Sequence, residues 1–179
     1  MGFRGIPRQE EAVANIDAAL AASRDATERL IADAETMAAR WATPRSPGKW
    51  SPSQIVEHVA RSYDGSVQMS AGLPSAFPRL PGVIHPLLRI VFRWLLRKGS
   101  FPKGRTTKAM NPLAGPTTPA EGRARLAAAH ERFEAACRDL AARGALMRTT
   151  MFGAVPVEDF VRFMELHTRH HDRQIGAPN

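Results

Sequence analysis

Between about Gln9 and Trp41, seam positions recur at alternating three- and four-residue steps: Val13, Ile16, Leu20, Ser23, Thr27, Leu30, Ala34, Met37 and Trp41. That spacing predicts one long helix with a bundle-type seam, and Glu10, Arg24, Asp25 and Asp33 fall off it. Ser23 and Thr27 are small and polar at mid-seam, which fits either a cavity or a close helix contact. Pro44, Pro47 and Gly48 break the pattern between Ala42 and Lys49. Ser51-Pro52-Ser53-Gln54 then opens a second helix. Ser51 caps it, Pro52 suits the first helical position and Gln54 reaches back to complete a capping box. Ile55, His58, Val59 and Ser62 share one face of this helix, which is predicted to run to about Ala71.

Thr118-Pro119-Ala120-Glu121 repeats the capping logic and starts a third bundle helix. Leu126, Ala129, Phe133, Ala136 and Leu140 form its seam and Gly144 ends it, with His130 and Cys137 beside the seam as packing or rim residues. A fourth begins near Pro156, with Glu158 and Asp159 in its first turn, and ends near Gly176. No alternating strand pattern of useful length and no internal repeat is evident. The predicted fold is all-α, a four-helix bundle formed by residues 1–179 as one domain.

The regular pattern fails between the second and third helices. Seven prolines from Pro74 to Pro116 forbid a continuous helix, so residues 73–117 read as an irregular insertion. Within it, Pro86 to Lys98 looks like a short extra helix. Its apolar residues cover most of its surface, while Arg89, Arg93 and Arg97 form a ridge at four-residue steps. Charge changes the picture most here. No acid occurs between Asp64 and Glu121, whereas that segment holds Arg79, Arg89, Arg93, Arg97, Lys98, Lys103, Arg105 and Lys108. These eight account for the whole net charge of +8, because the other 17 basic residues match the 17 acids. The extra helix is expected to pack over the bundle with its arginines in water, to cover an anionic ligand as a lid, or to lie on a membrane surface. Of the two functional roles, the lid is preferred from the position of the insertion after the second helix.

Composition narrows the class further. At 179 residues and 44% hydrophobic, the chain can bury a sizeable core, and no apolar run approaches the ~20 residues of a membrane span. Met1 to Glu11 lacks the apolar segment of a secretory signal, and the single Cys137 excludes an internal disulfide and fits a reducing compartment. The expected location is the cytoplasm. Aromatics in the basic segment are few and read as packing residues, so nucleic acid ranks low as a partner.

Candidate chemistry lies near the C-terminus. His167 and His171 are four apart, so their Cβ atoms stand roughly 5–6 Å apart on one helix face. That face continues back through Met164 and Phe160, so both histidines point inward, as does His58. Inward histidines are either core residues hydrogen-bonded to neighbours or metal ligands. Three imidazoles around a divalent ion leave one tetrahedral position open, the composition of a catalytic zinc site. His170 lies about 100° round the helix from His171 and is expected behind the ligands or in solvent. Gln174 and Gln54 are candidates for orienting a ligand.

The stretch Trp50-Ser-Pro-Ser-Gln-Ile-Val-Glu-His58, then Phe152-Gly153, then His167-x-x-x-His171-x-x-Gln174, resembles the DinB-like superfamily. The resemblance covers about Gln9 to Ala71 and Ala120 to Gly176. It implies a four-helix bundle in which His58, His167 and His171 hold a divalent metal, commonly zinc or nickel. It also implies a homodimer. Relatives include thiol-dependent S-transferases and a maleylpyruvate isomerase that uses low-molecular-weight thiols. The insertion is longer than the compact family pattern.

Two functions are therefore in competition. One is a metal-dependent enzyme that activates a thiol or water against a small electrophile. The other is a non-enzymatic metal-binding or stress-related scaffold whose basic insertion, with Arg89, Arg93 and Arg97, meets an anionic partner or membrane surface.

Overall fold

The protein is described here by a computed structural model covering residues 9–102 and 107–176, with the backbone alone at 9–14 and 176. Lys103 and Arg105, and the side chains of Glu10 and Val13, lie outside the described residues. Five α-helices and one small sheet follow in the order α1 (Gln9–Thr36), α2 (Pro52–Ser70), α3 (His85–Lys98), α4 (Pro119–Ala142), β1 (Met147–Thr149), β2 (Gly153–Val155) and α5 (Val157–Gly176). The fold is all-α in class. Helices α1, α2, α4 and α5 form the bundle, α1 packing chiefly on α5 and α2 on α4.

Local sequence explains the helix ends. Ser51 Oγ accepts from the Gln54 amide at 3.2 Å and Gln54 Oε1 accepts from the Ser51 amide at 3.0 Å, the reciprocal capping box at the start of α2. Thr118 caps α4 in the same way, but Glu121 turns its carboxylate to the amide and hydroxyl of Thr117 instead of Thr118. The first helix is shorter than its seam. After Thr36 the chain tightens into a 3₁₀ turn over Ala38–Arg40. Trp41 remains buried on the seam, its indole N–H donating to the Pro116 carbonyl at 2.7 Å.

Ser23 and Thr27 mark a close contact, not a void. The buried Tyr63 hydroxyl reaches Thr168 at 2.8 Å, Thr27 at 3.0 Å and Ser23 at 3.5 Å, and Ser23 meets His130 Nε2 at 3.1 Å. The network joins α1, α2, α4 and α5 at the centre of the core. Cys137 is also buried there, and burial pushes its thiol up to about 12, so it stays protonated.

Burial lowers the pKa of His130; Glu134 raises it by less, and Arg24 adds a small lowering. The unfolded chain therefore takes up a proton at a pH where the folded imidazole stays neutral. Its stabilising contribution is complete above the ordinary histidine value of about 6.5 and is lost as pH falls toward the lower folded value. His130→Gln is accordingly expected to flatten the fall in unfolding free energy between neutral and mildly acidic pH, measured by urea titration. A slope unchanged from wild type would remove His130 from the acid response.

The sequence has no strand pattern of useful length, and the structure adds one small sheet to the all-α fold. β1 and β2 form an antiparallel hairpin, Met147 opposite Val155 and Thr149 opposite Gly153. Three-residue strands are too short to show alternation in sequence. Gly153 has φ +70°, and a Cβ there would stand 3.0 Å from His85 Nδ1, so both backbone and space require glycine. The hairpin seats the insertion. Leu80 donates its amide to the Thr150 carbonyl at 3.0 Å, and Phe92 of α3 packs on Phe152 with centroids 4.9 Å apart. Phe92 and Leu95 are buried, and Phe92 also meets Phe163 of α5, which places α3 over the N-terminal half of α5.

Candidate metal centre

His58 sits two turns into α2, whose start is held by the capping box. His167 and His171 occupy successive turns of α5. The bundle brings all three together. His58 Nε2 lies 3.3 Å from His167 Nε2, and His167 Nε2 lies 3.2 Å from His171 Nε2. The potential ligand atoms of the three residues are within 4.8 Å of one another. Two zinc–imidazole bonds at a tetrahedral angle place their nitrogen atoms about 3.3 Å apart.

Proton accounting supports the same reading. His58 donates its Nδ1–H to the Met110 carbonyl at 2.9 Å, and His171 donates its Nδ1–H to Gln174 Oε1 at 3.0 Å. A neutral imidazole carries one proton, so both Nε2 atoms present lone pairs toward His167. His167 has at most one N–H to offer these two acceptors if neutral, and its Nδ1 is buried without a hydrogen-bond partner among the described residues. Burial holds all three imidazoles neutral. It lowers His58, takes His167 well below the usual histidine range and brings His171 down to about 3, with neighbouring histidines adding smaller shifts to all three. A cluster of neutral nitrogen donors with too few protons among them fits a divalent cation.

The other sequence candidates divide. Gln174 orients His171, and its Nε2 donates to His170 Nε2 at 2.9 Å, so His170 braces the glutamine from behind. Gln54 forms no hydrogen bond to His58: its oxygen closes the capping box and its Nε2 donates to the Pro112 carbonyl at 3.2 Å. Arg89, Arg93 and Arg97 line α3, the first half-buried and the other two exposed, and no hydrogen bond joins any of them to the triad among the described residues. The parts of the insertion that do reach it follow α3. Phe101 packs on His167 at 5.7 Å between ring centroids, and Met110 supplies the carbonyl for His58.

Trp50 and Phe101 form walls that spacing alone does not assign. The Trp50 ring lies 4.7 Å from His58 and 5.8 Å from His171, and its indole N–H donates to Asn111 Oδ1 at 3.0 Å. Each wall is a loop residue brought in by tertiary folding. The available signal was an aromatic ring directly before the α2 cap and another just after α3.

A family model described as the DinB superfamily matches residues 19–175, a span that includes all three histidines. No curated protein and no solved structure matches the chain. The bundle and the converging imidazoles agree with a metal-associated, enzyme-type scaffold, and the chain belongs to the DinB superfamily.

Proposed function

We propose that the protein is a metal-dependent enzyme, with zinc or nickel at the triad, that directs a thiol or water against a small electrophile in an S-transferase or hydrolase reaction. The observation that carries this reading is the convergence of three neutral histidines without a carboxylate hydrogen-bonded to them among the described residues. A divalent ion held by such a set keeps its full charge and lowers the pKa of a thiol or water in its remaining position. His58, His167 and His171 would hold the ion. Met110 and Gln174 keep the Nδ1 protons of His58 and His171 away from it, and Trp50 and Phe101 exclude bulk water from two sides.

Conjugation of low-molecular-weight thiols to monochlorobimane, and hydrolysis of p-nitrophenyl acetate, test the two forms of the reaction. Protein reconstituted with zinc or nickel is expected to accelerate one of them, and a chelator is expected to abolish that rate. Gln174→Leu is expected to weaken metal affinity roughly 10- to 100-fold while recovering its rate at saturating metal, because Gln174 positions a ligand without being one. A rate indifferent to chelation ends the enzymatic reading. Loss of rate in Gln174→Leu that saturating metal does not restore ends the positioning role.

A further inference from the structure

Helix α3 buries one side and exposes an apolar stripe on the other. Phe92 faces the hairpin and α5, and Leu95, three residues on, is also buried. Leu87, Val91 and Trp94 follow one another at steps of four and three along its exposed side, with Ile90 beside them and Val83 and Ile84 in the turn just ahead. Val83 is 85% exposed, Leu87 64%, Ile90 61% and Trp94 44%. A single exposed aliphatic residue is ordinary, but four large apolar residues on α3 with two more in the turn before it form a patch that calls for a partner.

The charge around the stripe identifies that partner. Arg89, Arg93 and Arg97 run at four-residue steps between the buried side and the stripe, and the Lys98 ammonium lies over the Trp94 ring at 4.8 Å. None of these three arginines makes an ion pair among the described residues. Bundle arginines behave differently: Arg24 pairs with Glu134, Arg123 with Glu35 and Arg125 with both Glu57 and Asp64. No acid lies anywhere between Asp64 and Glu121 to neutralise the stripe's border.

We propose that this face of α3 docks on an anionic phospholipid bilayer. The helix lies in the headgroup plane, with Leu87, Ile90, Val91 and Trp94 at the acyl boundary and Arg93, Arg97 and Lys98 among the phosphates. It lies on the membrane and does not cross it, for no described helix is long and apolar enough to span one. A second copy of the chain fits the patch less well. Pairing two α3 stripes face to face brings two arginine ridges together with no acid in either segment, whereas an anionic bilayer supplies apolar depth and negative charge together. The inference is independent of what the triad does.

Full-length protein is sedimented with phosphatidylcholine vesicles and with vesicles containing phosphatidylglycerol, at low and physiological salt. Binding is expected only to the anionic vesicles, falling as salt rises, with a blue shift of Trp94 emission that Trp94→Phe removes. Arg93→Gln with Arg97→Gln is expected to lower vesicle affinity roughly tenfold or more at low salt. Ile90→Ser with Leu87→Ser is expected to remove the salt-resistant part of binding. These side chains are exposed, so the far-ultraviolet helical signal and metal stoichiometry of both variants are expected to match wild type. Absence of sedimentation with anionic vesicles overturns the proposal. So does equal binding by wild type and both variants. A wild-type dimer in gel filtration that Ile90→Ser with Leu87→Ser dissociates, without lipid binding, assigns the stripe to a second copy instead.

Discussion

Protein carrying His167→Ala is expected to emerge from metal reconstitution and desalting with no stoichiometric zinc or nickel, where wild type retains one ion per chain. The central position of His167 makes this the most damaging single change at the site. Its Nε2 stands 3.3 Å from the His58 nitrogen and 3.2 Å from that of His171, so its removal leaves two imidazoles without their common neighbour. Two neutral donors hold a divalent ion far less tightly than three. His170 is no substitute, because its Nε2 is engaged by Gln174 on the far side of His171. Elemental analysis after desalting gives the readout. Equal stoichiometry in wild type and variant would refute the triad as the metal site, whatever the activity assays show.

The second large effect concerns the core, and it separates a scaffold held together by packing from one held together by an ion. Phe133 is fully buried on α4, with Tyr63 5.0 Å away and Phe160 6.3 Å away between ring centroids. Phe133→Ala deletes a ring where α4 meets α2 and α5, and the helices on either side cannot close the gap without breaking the Tyr63 hydrogen bonds. The expected loss is about 3–5 kcal/mol, a fall in melting temperature of roughly 6–20 °C for a chain of this size. Chelation of wild type, by contrast, is expected to leave the far-ultraviolet helical signal intact and to lower the melting temperature only modestly, because the core does not depend on the ion. Loss of helicity on chelation, or a Phe133→Ala variant as stable as wild type, would reverse this assignment.

Much of this was legible along the chain because the information is local. The three- and four-residue steps of the α1 and α4 seams, the Ser51–Gln54 box and the proline content of the insertion each lie within a few residues of the structure they specify. Helical periodicity put His58, His167 and His171 on inward faces, and the bundle brings the three together. What periodicity lacks is the distance between remote segments. It left open whether Ser23 and Thr27 lined a void, and the answer was the Tyr63 hydroxyl from another helix. It assigned Gln54 toward His58, whereas capping and the Pro112 carbonyl occupy that amide. The preference for α3 as a lid came from the position of the insertion, and α3 seats on a hairpin whose strands are too short to announce themselves. The segment after α3 delivers Phe101 and Met110 to the triad instead.

The uniformity of the triad has a consequence for the ion proposed to sit there. Three imidazoles of the same chemistry, already gathered by the bundle, offer no thiolate or carboxylate by which to favour one first-row ion over its neighbours. Affinity in such a set rises along the series from manganese to copper and falls again at zinc, for reasons that belong to the ions. Occupancy then follows supply. On the proposed reading, the metal found in protein from any one growth medium is expected to report the pool that the chain met while folding.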